Sequence, residues 1–233
     1  MNGQINGYER EQQIPEVRPM PSRKAAKKRA RRRRRRIKWL TVILLTVLLI
    51  ALGIYYVGQY RHDMEYLRYP LRHEQIIVRY ADEFDLEAWH VAAVVRCESS
   101  FRETATSEVG ARGLMQIMPD TGSWLAGKFA EKDIFTADML YQPETNVKYG
   151  CWYLNWLMDI YDEDLTLVTA AYHAGHGTVN KWLKDASISP DGKTLSKIPY
   201  NSTRTYVERV LTACEKYRTM YDFDQIRQEI SMQ

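Results

Sequence analysis

The chain has 233 residues, and its formal net charge of +4 averages over three unlike segments laid end to end. Residues 1–38 hold 14 basic residues against 3 acidic ones, residues 39–58 hold neither, and residues 59–233 hold 19 basic against 26 acidic. A uniformly basic globular protein is thereby excluded, and so is a wholly soluble one unless the middle segment is buried in a core.

The N-terminal segment combines Pro15, Pro19, Pro21 and polar residues with the block RKAAKKRARRRRRRIK at 23–38, and a disordered basic tail is expected over 1–38. The next stretch, WLTVILLTVLLIALGIYYV at 39–57, is 19 uncharged and mostly apolar residues. As a helix it spans ~28 Å, about the hydrocarbon thickness of a bilayer. Trp39 at one end and Tyr55, Tyr56 and Tyr60 at the other suit the two membrane interfaces. The adjoining cations keep the N-terminus in the cytoplasm, so residues 39–58 read as a single-pass anchor of the cell membrane, with the C-terminal part outside. A cleaved signal peptide has a shorter apolar run and a small-residue cleavage site. A nucleic-acid-binding arm would explain the arginines but leave the apolar helix without a purpose. The expected partner is therefore a membrane and not a nucleic acid.

Residues 59–70 read as a stalk, and everything from 71 to 233 reads as a mainly α domain. Ile76, Ile77, Tyr80, Ala81 and Phe84 recur at amphipathic-helix spacing. Asp85 is the expected N-cap of a helix running through Trp89, Ala92 and Ala93 to Cys97 and Glu98. Pro119–Asp120 and Pro143–Glu144 each open another, the second carrying Val147, Cys151, Leu154 and Met158 on one face. A short apolar helix from Leu165 ends at Gly175, and a last one from near Thr203 carries Tyr206, Val210, Cys214, Tyr217 and Tyr221. Cys97, Cys151 and Cys214 have no CxxC spacing and are odd in number, so buried thiols are the default, with one disulfide of unknown pairing the alternative.

Glu98 lies among Val94, Val95 and Phe101. An apolar setting penalises the charged carboxylate and lets such a group hold its proton near neutrality for delivery to a leaving oxygen. The segment SEVGARGLMQIMP (107–119) then sets Gly110 and Gly113 in a tight turn beside Gln116 and Met118. An amide there can hydrogen-bond a ligand while the thioether packs on a sugar face. AAYHAG (170–175) brings Tyr172 to a helix end, and PYNSTRTYV (199–207) opens the last helix with Tyr206.

ESSF (98–101), SEVGARGLMQIMP (107–119), AYHAG (171–175) and PYNSTRTYVERV (199–210) together resemble the successive motifs of the family 1 lytic transglycosylases, soluble-lytic-transglycosylase-like enzymes of lysozyme-like fold. QPETNVKYGCWYL (142–154) is similar to the family's linking stretch, and the resemblance covers roughly 72–222. It implies a peptidoglycan lytic transglycosylase that cleaves the β-1,4 bond between MurNAc and GlcNAc without water, leaving 1,6-anhydroMurNAc ends. It also implies Glu98 as acid and then base, no cofactor, and a substrate site formed by Ser107, Gln116, Met118, Tyr172, His173 and Tyr206.

Two positions depart from the pattern: His173 stands where the family usually has Asn, and Ser202 where it commonly has Glu. Other readings of the residues are a muramidase of the same fold, with Glu103 or Glu108 as second carboxylate, and a catalytically weak glycan-binding scaffold of an envelope machine. Trp152, Trp156 and Trp182 could stack on sugars, although the helical spacing of Trp152 and Trp156 favours core for those two. His173 and His176 form an HxxH spacing without a third ligand, so no metal site is expected.

Overall fold

The computed structural model describes residues 23–232. It contains α1 (Arg23–Arg68), α2 (Glu74–Glu83), α3 (Ala88–Ser99), α4 (Pro119–Lys128), a 3₁₀ turn (Ala137–Tyr141), α5 (Pro143–Ile160), α6 (Leu165–Ala174), α7 (His176–Leu183), α8 (Asn201–Met220) and α9 (Phe223–Ser231). Among the described residues extended pairing is limited to the isolated bridges Thr106–Arg112 and Arg112–Ile117. The fold is mainly α, as the helical periodicities require.

The chain divides into two units, Met1–His62 and Asp63–Gln233. In the first unit α1 begins at Arg23, not at the start of the apolar run. The basic block was expected to be disordered, yet it is helical from Arg23, and the expected stalk continues the same helix as far as Arg68. Lys, Arg and Ala are strong helix formers, and an apolar helix already nucleated extends through them at little cost. The rest of the expected disordered tail, residues 1–22, lies outside the described residues. Within α1 the side chains from Trp39 to Tyr60 are exposed, and the helix is long and apolar enough to cross a membrane.

The second unit is built around α3. Val91 to Val95 are all buried, as are Ala88 and His90, so this helix is apolar nearly all round and belongs to the centre of a core. It packs chiefly on α8, which in turn meets α6, while α2 lies against α3, α5 and α9. Asp85 does not cap α3: it adopts a left-handed conformation (φ 52°), and Glu87 takes the N-cap position without a side-chain bond. The left-handed backbone at Asp85 places it outside the helix, which starts at Ala88. Pro119 and Pro143 open α4 and α5 at the first turn, where a missing N–H costs nothing. α7 and α9 go beyond the elements read from the sequence; both are short and follow closely on longer helices. Cys97, Cys151 and Cys214 are free thiols, the last two buried.

Between α3 and α4 the chain runs without regular structure, and one side chain organises it. Asn146, wholly buried on α5, accepts from the Met115 N–H at 2.7 Å and donates to the carbonyls of Leu140 (2.7 Å) and Arg112 (2.9 Å). Gly113 sits against it at φ 77°, where an added Cβ would overlap the Leu140 carbonyl oxygen, so both the backbone sign and the close approach demand glycine. Asn146→Ala strands the buried Met115 N–H and the Leu140 carbonyl, while the Arg112 carbonyl keeps the Ile117 N–H at 3.0 Å. It should destabilise the fold by roughly 3 kcal/mol, read as a thermal midpoint lowered by several degrees in detergent-solubilised full-length protein.

Candidate active site

Glu98 lies in the last turn of α3, and Ser100 and Phe101 then leave the helix with positive φ angles of 54° and 61°. Its carboxyl is largely withdrawn from water. Burial pushes its pKa up from 4.5 to about 7, against the opposing effects of a hydrogen bond from Tyr206 and the charge of Arg209. The negative end of the α3 dipole acts in the same direction as burial. The protonated and charged forms are therefore both accessible near neutrality, as a group that first gives and then takes a proton requires.

The phenol of Tyr206, buried on α8, donates to Glu98 Oε1 at 2.6 Å. The His173 ring, at the end of α6, lies 4.6 Å from the Tyr206 ring, centroid to centroid. Its Nδ1 is 3.1 Å from Thr203 Oγ1. Burial, and then the charge of Arg209, lower the His173 pKa, which favours a neutral ring able to hydrogen-bond as an amide does. Tyr172 donates to the Met115 carbonyl at 2.8 Å. Burial and then the charge on Glu98 raise its pKa well above the ordinary value, so its proton stays in place.

The remaining residues of the expected set occupy the intervening loop. Gln116, at φ 50°, donates its amide to the carbonyls of Ala105 (3.1 Å) and Gly113 (2.9 Å), bracing the loop from within. Ser107 Oγ accepts from the Ala111 N–H at 3.0 Å, which turns it to the loop's own backbone. Met118 is 38% exposed at the mouth of α4. Glu98, Tyr172, His173 and Tyr206 thus form one connected group, while Gln116 and Ser107 hold the loop beside it. Ser202 is exposed in the first turn of α8, and Glu103 and Glu108 are exposed turn residues. His176 packs edge-on to Trp156 at 5.0 Å, whereas His173 faces Tyr206.

Three participants escaped the sequence reading. Arg209 lies one turn after Tyr206 and reaches the Cys97 carbonyl at 2.9 Å, bringing a positive charge to the acid. Thr203 is the partner of His173. Asn146 was marked only by being an amide on the apolar face of its helix, a signal that also fits a solvated position.

Residues 75–194 match the family model described as Transglycosylase SLT domain. The chain belongs to this family. It is similar to the soluble lytic murein transglycosylase of Salmonella typhimurium, with 34% identity over 152 residues, 65% of this chain and 24% of that protein. It is also similar to the membrane-bound lytic murein transglycosylase C of Actinobacillus pleuropneumoniae, with 31% identity over 170 residues, 61% of this chain and 44% of that one. The crystal structure of the 70 kDa soluble lytic transglycosylase of Escherichia coli superposes with a TM-score of 0.59 at 31% identity, over 67% of this chain and 25% of that one. An inactive glutamate-to-glutamine mutant of the Pseudomonas aeruginosa lytic transglycosylase Slt gives 0.57 at 33%, over 65% and 25%. This chain spans about a quarter of the length of the soluble relatives. The SLT domain match contains Glu98, the 107–119 loop and His173, and stops before α8 with Tyr206.

The raised pKa of Glu98 in this SLT domain also has a stability cost. The unfolded carboxyl titrates near 4.5 and the folded one near 7, so the native state binds more protons between these values and loses stability as pH rises through that window. Glu98→Gln removes this slope. The variant should melt at the parental temperature at the acid end of the window and above it on the alkaline side, as followed by circular dichroism.

Proposed function

We propose that this chain is a membrane-anchored peptidoglycan lytic transglycosylase with Glu98 as its sole acid–base catalyst. The observation that carries this reading is a carboxyl held near pKa 7 by burial and hydrogen-bonded by Tyr206, within a domain of the transglycosylase SLT family. A relative that is inactive when a glutamate becomes glutamine supports a carboxylate mechanism.

In the first step protonated Glu98 gives its hydrogen to the glycosidic oxygen as the C1–O bond of MurNAc breaks, and positive charge develops at C1. In the second, the Glu98 carboxylate removes the proton from the MurNAc C6 hydroxyl as that oxygen bonds to C1. Glu98 ends protonated and no water is consumed. A single carboxyl therefore suffices, where most glycoside hydrolases need two. Tyr206 steadies the carboxylate between the steps, neutral His173 offers a hydrogen bond beside it, and Tyr172, its own proton held by the Met115 carbonyl, braces the loop next to the acid. Gln116 and Ser107 keep the loop, with Met118 at its end, in the shape that receives the sugar. The apolar part of α1 holds the enzyme at the cytoplasmic membrane, its basic N-terminal end inside and its catalytic domain facing the wall.

Mass analysis of the muropeptides tests the reaction. Sacculi digested by the full-length protein should release products lighter by one water than those of a hydrolysing muramidase, and products that have gained water would overturn the reading. Glu98→Gln should lower cleavage by at least roughly 10²–10⁴-fold in a protein that still folds. Cleavage needs the acid form at the outset, so activity should fall as pH rises through about 7. Tyr206→Phe removes an interaction that favours the carboxylate, and a pH–rate profile should show that falling limb displaced to higher pH.

A further inference from the structure

Much of the domain's aromatic surface lies outside the group around Glu98. Trp124, on α4, is 41% exposed, although a side chain of this size is highly buried on average. Its ring meets Trp152 edge-on at 5.4 Å and Trp156 at 5.5 Å. Tyr153 and Trp156 stack at 5.7 Å with 21° between their planes. With Asp120, Thr121 and His176, the side chains of Trp124, Tyr153 and Trp156 line an open groove of about 390 Å³. The edge-to-face contacts hold each indole in one orientation, so the groove is preformed.

Its chemistry selects an occupant. A pyranose has an apolar face of C–H groups that packs on an aromatic ring, and an edge of hydroxyls. Asp120 can accept from those hydroxyls, while Thr121 and His176 can both accept and donate. Predominantly aromatic walls with a few placed polar groups are the composition of a small-ligand site. A stem peptide would bring its own carboxylates against Asp120, which opposes it. The groove also continues from the acid. Asp120 follows Met118 by two residues, and the Tyr153 ring lies 5.5 Å from that of Tyr172, whose phenol feels the charge of Glu98.

We propose that the groove between α4, α5 and the start of α7 is a glycan subsite that holds an N-acetylhexosamine of the strand being cut, beyond the scissile bond. The inference rests on the reading of Glu98 as the catalyst of glycan cleavage and adds a second point of attachment. Trp124 and Asp120 are then specificity-determining residues that make long strands better ligands than short ones.

Calorimetric titration with chito-oligosaccharides of increasing length tests this, using full-length protein in detergent micelles with Glu98→Gln so that the ligand survives. Affinity should rise with length and level off once the groove is filled. Trp124→Ala and Asp120→Asn should each weaken the longest oligosaccharide about tenfold, ~1.4 kcal/mol, with the shortest bound as before. Asp120 is exposed, so its variant decides the matter even where loss of the indole disturbs folding. Unchanged affinity, or equal weakening at every length, would overturn the proposal. So would weakening confined to peptide-bearing muropeptides, which would give the groove to the stem peptide. A chain with Glu98 intact that leaves sacculi uncut yet binds long oligosaccharides through Trp124 would overturn the catalytic reading and leave the subsite standing.

Discussion

The site depends on keeping one carboxyl away from water without leaving it unpartnered. Glu98 lies at the end of the helix that forms the centre of the domain, and among the described residues the side chain bonded to it is a phenol from α8, the helix on which α3 chiefly packs. Burial and hydrogen bonding act in opposite directions on its proton. Burial alone would leave an acid reluctant to ionise, and full solvation would leave a carboxylate with nothing to give. The balance follows from the packing of two helices far apart in sequence, so the acid's strength is a property of the core.

The parts legible in the sequence were those set by local chemistry. The 3.6-residue spacing of apolar side chains marked α2, and the proline pairs marked the starts of α4 and α5. Gly175 closes α6 where expected. Glu98, Tyr172, His173 and Tyr206 come from three of the four motifs, and the fold gathers them. Residues whose importance comes from distant partners were harder to read. Asn146 is one amide among many until the loop it organises is seen beside it. Arg209 looks like a solvated helix charge until Cys97 is seen within its reach.

Other expectations failed for a related reason. The polyarginine block was read by composition as part of a disordered tail, but a chain already helical on one side extends its helix at little cost. Asp85 has the residue type of an N-cap without the position: its left-handed backbone turns the chain two residues before Glu87, the N-cap position of α3. Trp152 and Trp156 were read as core from their spacing, yet both are only half-buried, and Trp156 lines the open groove. Trp124, absent from that reading, stands partly in water, since helical spacing says which face a ring occupies and not whether anything covers it.

The Met115 amide proton is given to a side chain 31 residues away in a wholly buried place. This bond cannot open by fraying, because its acceptor sits on a helix whose own packing would have to yield first. The middle of a loop with almost no regular structure is thereby tied to the packing of α5, so loosening that helix would release the strip of chain that borders Glu98's neighbours.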